Sequence, residues 1–241
     1  TVLIHASFST FTADPLQTLA GYHFTDVTSA MMGKWISAVS RVTPSLGSNM
    51  ALAGFRGVGK SHFLATFGAL LAHPEYRTRV TDPLILSESQ NLSRKSYPVA
   101  FLRRGTHPTV LAELKDAVAP IVGCDAASLS DSLNEILSRA RELVLLIDTA
   151  FERGSRVVRD DGRILADIAE RSKALGIFVG VALDDDIASA DGINSAISQS
   201  FSIDYLDQEH LYKIVDSHIF PKQARMRSLL HDIYEYYRSA V

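Results

Sequence analysis

The chain has 241 residues, 46% of them hydrophobic, with a formal net charge of −3. That is enough apolar material for one α/β domain with a small appendage, and the charge gives no global basic field for nucleic acid or anionic membrane. A single cysteine, Cys124, excludes an intramolecular disulfide and a cysteine zinc cluster. The eight histidines show no metal-ligand spacing. No apolar run reaches the ~18 residues of a membrane span, and the opening TVLIHASF lacks the cationic start of a signal peptide. A cytoplasmic setting is expected, with no membrane. Because the first residue is Thr1 and the closing YEYYRSAV stops inside a helical pattern, we expect a domain of a larger protein.

In chain order, residues 1–24 are rich in Thr, Ser and aromatics and read as an irregular or strand-like entry. Asp26 is a candidate cap for a helix to about Arg41, with Val27, Ala30, Met31, Trp35 and Val39 at helical spacing. MALAG, 50–54, has strand length, and Ser61 to Ala72 is helical, stopped by His73 and Pro74. Residues 74–96 read mostly as loop. YPVAFLRR, 97–104, reads as a buried strand, followed by amphipathic helices over 109–122 and 129–142. LVLLID, 143–148, and IFVGVAL, 177–183, are buried strands flanking a helix over 160–175. FSIDYL, 201–206, is a further strand, and two helices over 207–218 and 222–239 follow. Strands apolar throughout, alternating with helices, predict a mostly parallel sheet sandwiched by helices. The expected division is an irregular segment 1–24, a core 25–206, and a small C-terminal helical appendage, 207–241, acting as a partial lid or linker.

The stretch GFRGVGKSH carries the chemistry. Gly54, Gly59, Lys60 and Ser61 meet the pattern G-x-x-x-x-G-K-[ST], with Gly57 in addition. Glycines let successive N–H groups turn inward on an anion, and the helix that follows adds its positive end. Lys60 is a mobile charge for the β- and γ-phosphates, and the Ser61 hydroxyl a ligand for Mg²⁺. The expected nucleotide cradle is Gly54, Phe55, Arg56, Gly57, Val58, Gly59, Lys60, Ser61 and His62. Asp148, closing LVLLID, is the expected second metal ligand. The loop, Asp148 and Asp184 all fall at strand carboxyl ends, where ligands of such sheets sit. One sequence strand, 97–104, lies between Lys60 and Asp148. An intervening strand separates the additional-strand P-loop ATPases from kinases and GTPases, which place the two strands side by side.

GFRGVGKS, LVLLID and the late LDQEHLYKIVDSHIFPK resemble an AAA+-type ATPase module of that additional-strand division. RGVGKSHFL and LDQEHLYKIVDSHIFPK are also similar to the ATPase domains of large bacterial phage-exclusion proteins of the BREX kind. The resemblance implies a P-loop NTPase fold, ATP and Mg²⁺ as cofactors, hydrolysis, and other protein subunits or domains as partners. Many AAA+ proteins carry a water-polarising glutamate directly after the metal aspartate; here that residue is Thr149. Glu152, Glu88, Asp184 and Asp185 are the alternatives, with Asp184 at the γ-phosphate sensor position. An arginine finger is hard to find: Arg153, Arg156, Arg159 and Arg163 follow Asp148, and Arg225 or Arg227 could serve as a lid sensor. Three functions stay open: a Mg²⁺-dependent ATPase, with Lys60, Glu152 and Asp184 as its catalytic residues, that drives or gates a larger assembly; a nucleotide-dependent switch with weak or no hydrolysis; and a small-molecule P-loop kinase.

Overall fold

The computed structural model describes residues 8–55, 57–92, 95–149, 161–183 and 193–207, together with Ser228, Leu229, His231, Asp232, Glu235 and Tyr236. Two short helices open it, α1 (Phe8–Ala13) and α2 (Pro15–Gly21), followed by α3 (Asp26–Ser40) and β1 (Ser48–Gly54). The helix α4 (Lys60–Ala72) leaves the phosphate loop, and α5 (Pro74–Arg77) and α6 (Pro83–Ser89) lead to β2 (Val99–Arg103). Then come α7 (Val110–Val122), α8 (Leu133–Arg139), β3 (Val144–Asp148), α9 (Asp161–Ala174), β4 (Phe178–Ala182), α10 (Ile193–Ser200) and β5 (Ser202–Leu206). Among the described residues the strands pair in parallel, in the order β2-β3-β4-β1-β5.

Alternation along each strand sorts side chains between two cores. Leu145 and Ile147 of β3 join Leu114 and Val118 of α7 and Leu165 and Ile168 of α9 on one face. Val144 and Leu146 join Trp35 of α3 and Phe63, Phe67 and Leu70 of α4 on the other. Trp35 is fully buried, edge-on to Phe63 and Phe67 at centroid distances of 5.2 and 5.4 Å. Its indole N–H donates to Asp204 of β5 at 3.0 Å, so the largest apolar side chain of the core is buried without an unpaired donor. Burial of each large aliphatic side chain here contributes about 1.5–3 kcal/mol.

Several elements differ from the sequence reading. Residues 8–13 and 15–21 are helical, not irregular or strand-like, and much of 74–96 is α5, α6 and a 3₁₀ turn at Gln90–Leu92. The cause is local. Asp14 accepts from the Gln17 N–H at 3.0 Å with Pro15 at the first helical position, and Asp82 accepts from the Ile85 N–H at 2.9 Å with Pro83 in the same place. Aspartate before proline starts a helix, because proline lacks only a donor that the first turn leaves over. The cap of α3 is Thr25 rather than Asp26: Thr25 and Thr28 each accept the other's backbone N–H. The helix expected over 129–142 shrinks to α8, and α10 was not anticipated. The two helices expected over 207–218 and 222–239 fall largely outside the described residues, although the six described positions after 227 are helical. Among the described residues no helix is long and apolar enough to cross a membrane.

Candidate functional site

Gly54 ends β1 with φ +143°, and a Cβ there would lie 2.2 Å from the Leu206 carbonyl oxygen. The first glycine of the motif is thus demanded by close approach to β5 as much as by the turn. Gly57 and Gly59 have φ of +88° and +95°. Gly59 takes that left-handed conformation as the N-cap of α4, where a glycine is least strained. Val58 inserts its side chain into the core and so ties the loop down, while Phe55 stays exposed. The first-turn N–H groups of α4 aim out of the helix end, where an anion is favoured. The Lys60 ammonium is buried and donates to the carbonyls of Gly54 and Phe55 at 2.6 and 2.8 Å, which sets it over the loop.

Asp148 closes β3, 3% exposed. It is two residues from Leu146 and so shares the sheet face that α4 covers. In register it opposes Ala182 of β4, and Ala182 opposes Leu52 of β1. Asp148 and the phosphate loop therefore lie at one sheet edge and on one face, with β4 between their strands. The strand between them in space is β4, not the 97–104 segment that lies between them in sequence, which forms the sheet edge as β2. The Ser61 hydroxyl and the Asp148 carboxylate are hard oxygen donors, a set that suits Mg²⁺ completed by phosphate and water. Among the described residues no group of three or more His, Cys, Asp or Glu forms a metal site of the protein's own.

Thr149 is 1% exposed, and both its N–H and its hydroxyl donate to the Ala182 carbonyl, at 3.2 and 2.7 Å. The residue in the glutamate's place thus staples β3 to β4. His62 follows Ser61, yet its ring turns to the N-terminal helices. It stacks on Phe11 at 4.3 Å, meets Tyr22 edge-on at 4.9 Å, and bonds through Nε2 to the Thr18 carbonyl at 2.9 Å. Burial lowers its pKa below the ordinary histidine value. Its ring is thus engaged with the N-terminal helices, while its backbone N–H lies in the first turn of α4. Glu88 lies over Gly33 of α3 and accepts from Asn91 at 3.1 Å, so it serves the α3–α6 contact. Arg163 is exposed on α9. Arg56, Glu152, Asp184 and Asp185 lie outside the described residues, as do Arg153, Arg156, Arg159, Arg225 and Arg227. Sequence reading missed Glu113, a buried carboxylate in the first turn of α7.

A glycine loop between strand and helix, with the acidic strand one place removed across an inserted parallel strand, defines the additional-strand P-loop NTPase fold, and this chain has it. No family model matches the chain, and no curated protein matches it in sequence. Solved structures resemble it in chain trace. AMPPCP-bound DnaA from Aquifex aeolicus is 16% identical over 85% of this chain, with a TM-score of 0.46. The DnaC helicase loader is 15% identical over 78% of this chain and 95% of its own, at 0.42. A chain of the HORMA:CdnC:Trip13 complex of E. coli MS115-1 is 13% identical over 91% of this chain and 76% of its own, at 0.46. The chain spans 55% of the length of that DnaA structure and 54% of a DNA replication initiation factor.

Proposed function

We propose that this chain is a Mg²⁺–ATP-binding module that hydrolyses ATP to drive or gate a larger assembly. The observation that carries the reading is the shared edge and face of the α4 N-terminus and Asp148, with β4 between their strands. In this reading the N–H groups from Gly54 to His62, including that of Arg56, receive the phosphate oxygens. Lys60 moves from the Gly54 and Phe55 carbonyls onto the β- and γ-phosphates. Ser61 and Asp148 would hold Mg²⁺, whose charge offsets that of the phosphates when it is bound. The tip of β4 leads between these groups, which supports Asp184 as a γ-phosphate sensor; Glu152, four residues beyond Asp148, remains our candidate base. Catalysis is then chiefly electrostatic, by positioned donors rather than covalent chemistry. The working partners are other subunits or domains in the cytoplasm; net charge does not single out nucleic acid.

Phosphate release from ATP, measured with and without Mg²⁺, tests this. Turnover that is Mg²⁺-dependent and collapses in Lys60→Ala is expected. Absence of turnover, alone and in its native assembly, sinks the hydrolysis reading.

A second reading, a nucleotide-dependent switch with little hydrolysis, is favoured by Thr149, whose hydroxyl is committed to the Ala182 carbonyl. It predicts a large nucleotide-induced thermal shift with turnover at background. A kinase reading required β3 directly beside β1, and β4 occupies that place.

A further inference from the structure

The geometry points to Glu113 as a positioning residue for Asp148, acting from the opposite face of the sheet; this rests on the Mg²⁺–nucleotide reading above. Glu113 is 2% exposed. Its Oε1 accepts the backbone N–H groups of Gly105 and His107 at 2.7 and 3.0 Å and the Thr106 hydroxyl at 3.4 Å. Its Oε2 accepts from Arg104 Nη1 at 3.0 Å, and Arg104 is itself 5% exposed. One carboxylate therefore closes the whole turn from β2 into α7. It pairs with a buried cation and satisfies two backbone donors, the condition under which a buried charge is tolerated.

This turn joins directly onto the metal strand. Arg103 opposes Asp148 in register, and the Arg104 N–H donates to the Asp148 carbonyl at 2.9 Å, the last rung between β2 and β3. Arg104 shares a sheet face with Ala100 and Leu102, against α7, whereas the Asp148 side chain belongs to the α4 face. Glu113 is thus linked to the metal ligand through the Arg104 backbone. It fixes where the Asp148 Cα sits and so where its carboxylate can point. Partners of metal ligands commonly shift metal affinity by about 10–100-fold.

The test is the affinity for ADP by calorimetry, in Mg²⁺ and in EDTA, on the full chain. Wild type is expected to bind more tightly in Mg²⁺, and Asp148→Asn to lose that gain. Glu113→Gln is expected to lose about tenfold in Mg²⁺ and nothing in EDTA. A second variant, Arg104→Met with Glu113→Leu, removes the pair without stranding a charge and should give the same signature. Equal loss in both buffers overturns the proposal, as does an unchanged Mg²⁺ gain in Glu113→Gln. Failure of the double variant to fold overturns it too, by assigning the pair to stability. If wild type binds no ADP or ATP, the functional reading itself fails, a result separate from all of these.

Discussion

Thr149 and His62 show what single residues contribute around the phosphate loop. Thr149 gives its hydroxyl to the Ala182 carbonyl inside the sheet. Thr149→Val should cost about 1 kcal/mol of stability in urea unfolding, the usual net worth of such a bond. Thr149→Glu should gain no turnover and should melt at lower temperature, because a carboxylate replaces a donor facing a carbonyl; a large gain in phosphate release would overturn that. His62 is held neutral between Phe11, Tyr22 and the Thr18 carbonyl. Its lowered pKa means that the unfolded chain takes up a proton before the folded chain does. Its contribution is therefore complete above the ordinary histidine pKa and is lost as pH falls through that value and below it. His62→Phe should flatten that part of the stability–pH curve, measured by denaturant midpoints at each pH. Legibility varied at this scale. The motif marked Lys60 and Ser61 as candidates and the strand end marked Asp148, and the structure places them at the start of α4 and the end of β3. Glu113 carries no local signal, since a glutamate in a helix's first turn is ordinary and only its burial beside Arg104 marks it.

At the scale of elements, the strands were legible because full burial on both faces leaves an unbroken apolar run, as in β3 and β4. The short helices were not. In α2 and α6 a proline within a stretch read as irregular or loop begins a helix, behind a capping aspartate. The spatial role of β4 was also hidden, since sequence order puts β2 between the loop and Asp148 while the sheet puts β4 there. The junction of β1 with the loop yields a firm prediction. Gly54→Ala adds a Cβ that would lie 2.2 Å from the Leu206 oxygen, at a φ of +143° that disfavours any side chain. It should cost about 3 kcal/mol or more, combining backbone strain with displacement of β5. Calorimetric melting checks this; a loss below about 1 kcal/mol would show that the edge yields freely.

For the molecule as a whole, two apolar layers share one thin sheet, and Trp35, the single tryptophan, lies wholly within one of them. Its fluorescence is a probe of that layer, whereas far-ultraviolet dichroism reports helices on both. The two transitions should coincide in urea, as cooperative unfolding of both layers together requires. Separated midpoints would show that the α3–α4 layer and the α7–α9 layer come apart independently.

The contact between Gly54 and Leu206 also has a mechanical meaning. The phosphate loop springs from a point where the backbone of β1 and the carbonyl of β5 touch without a side chain between them. A side chain has no room at that junction, so a shift of Gly54 towards Leu206 would have to be taken up by β5. β5 ends at Leu206, so the strand that borders the root of the loop is also the last described strand of the sheet in sequence.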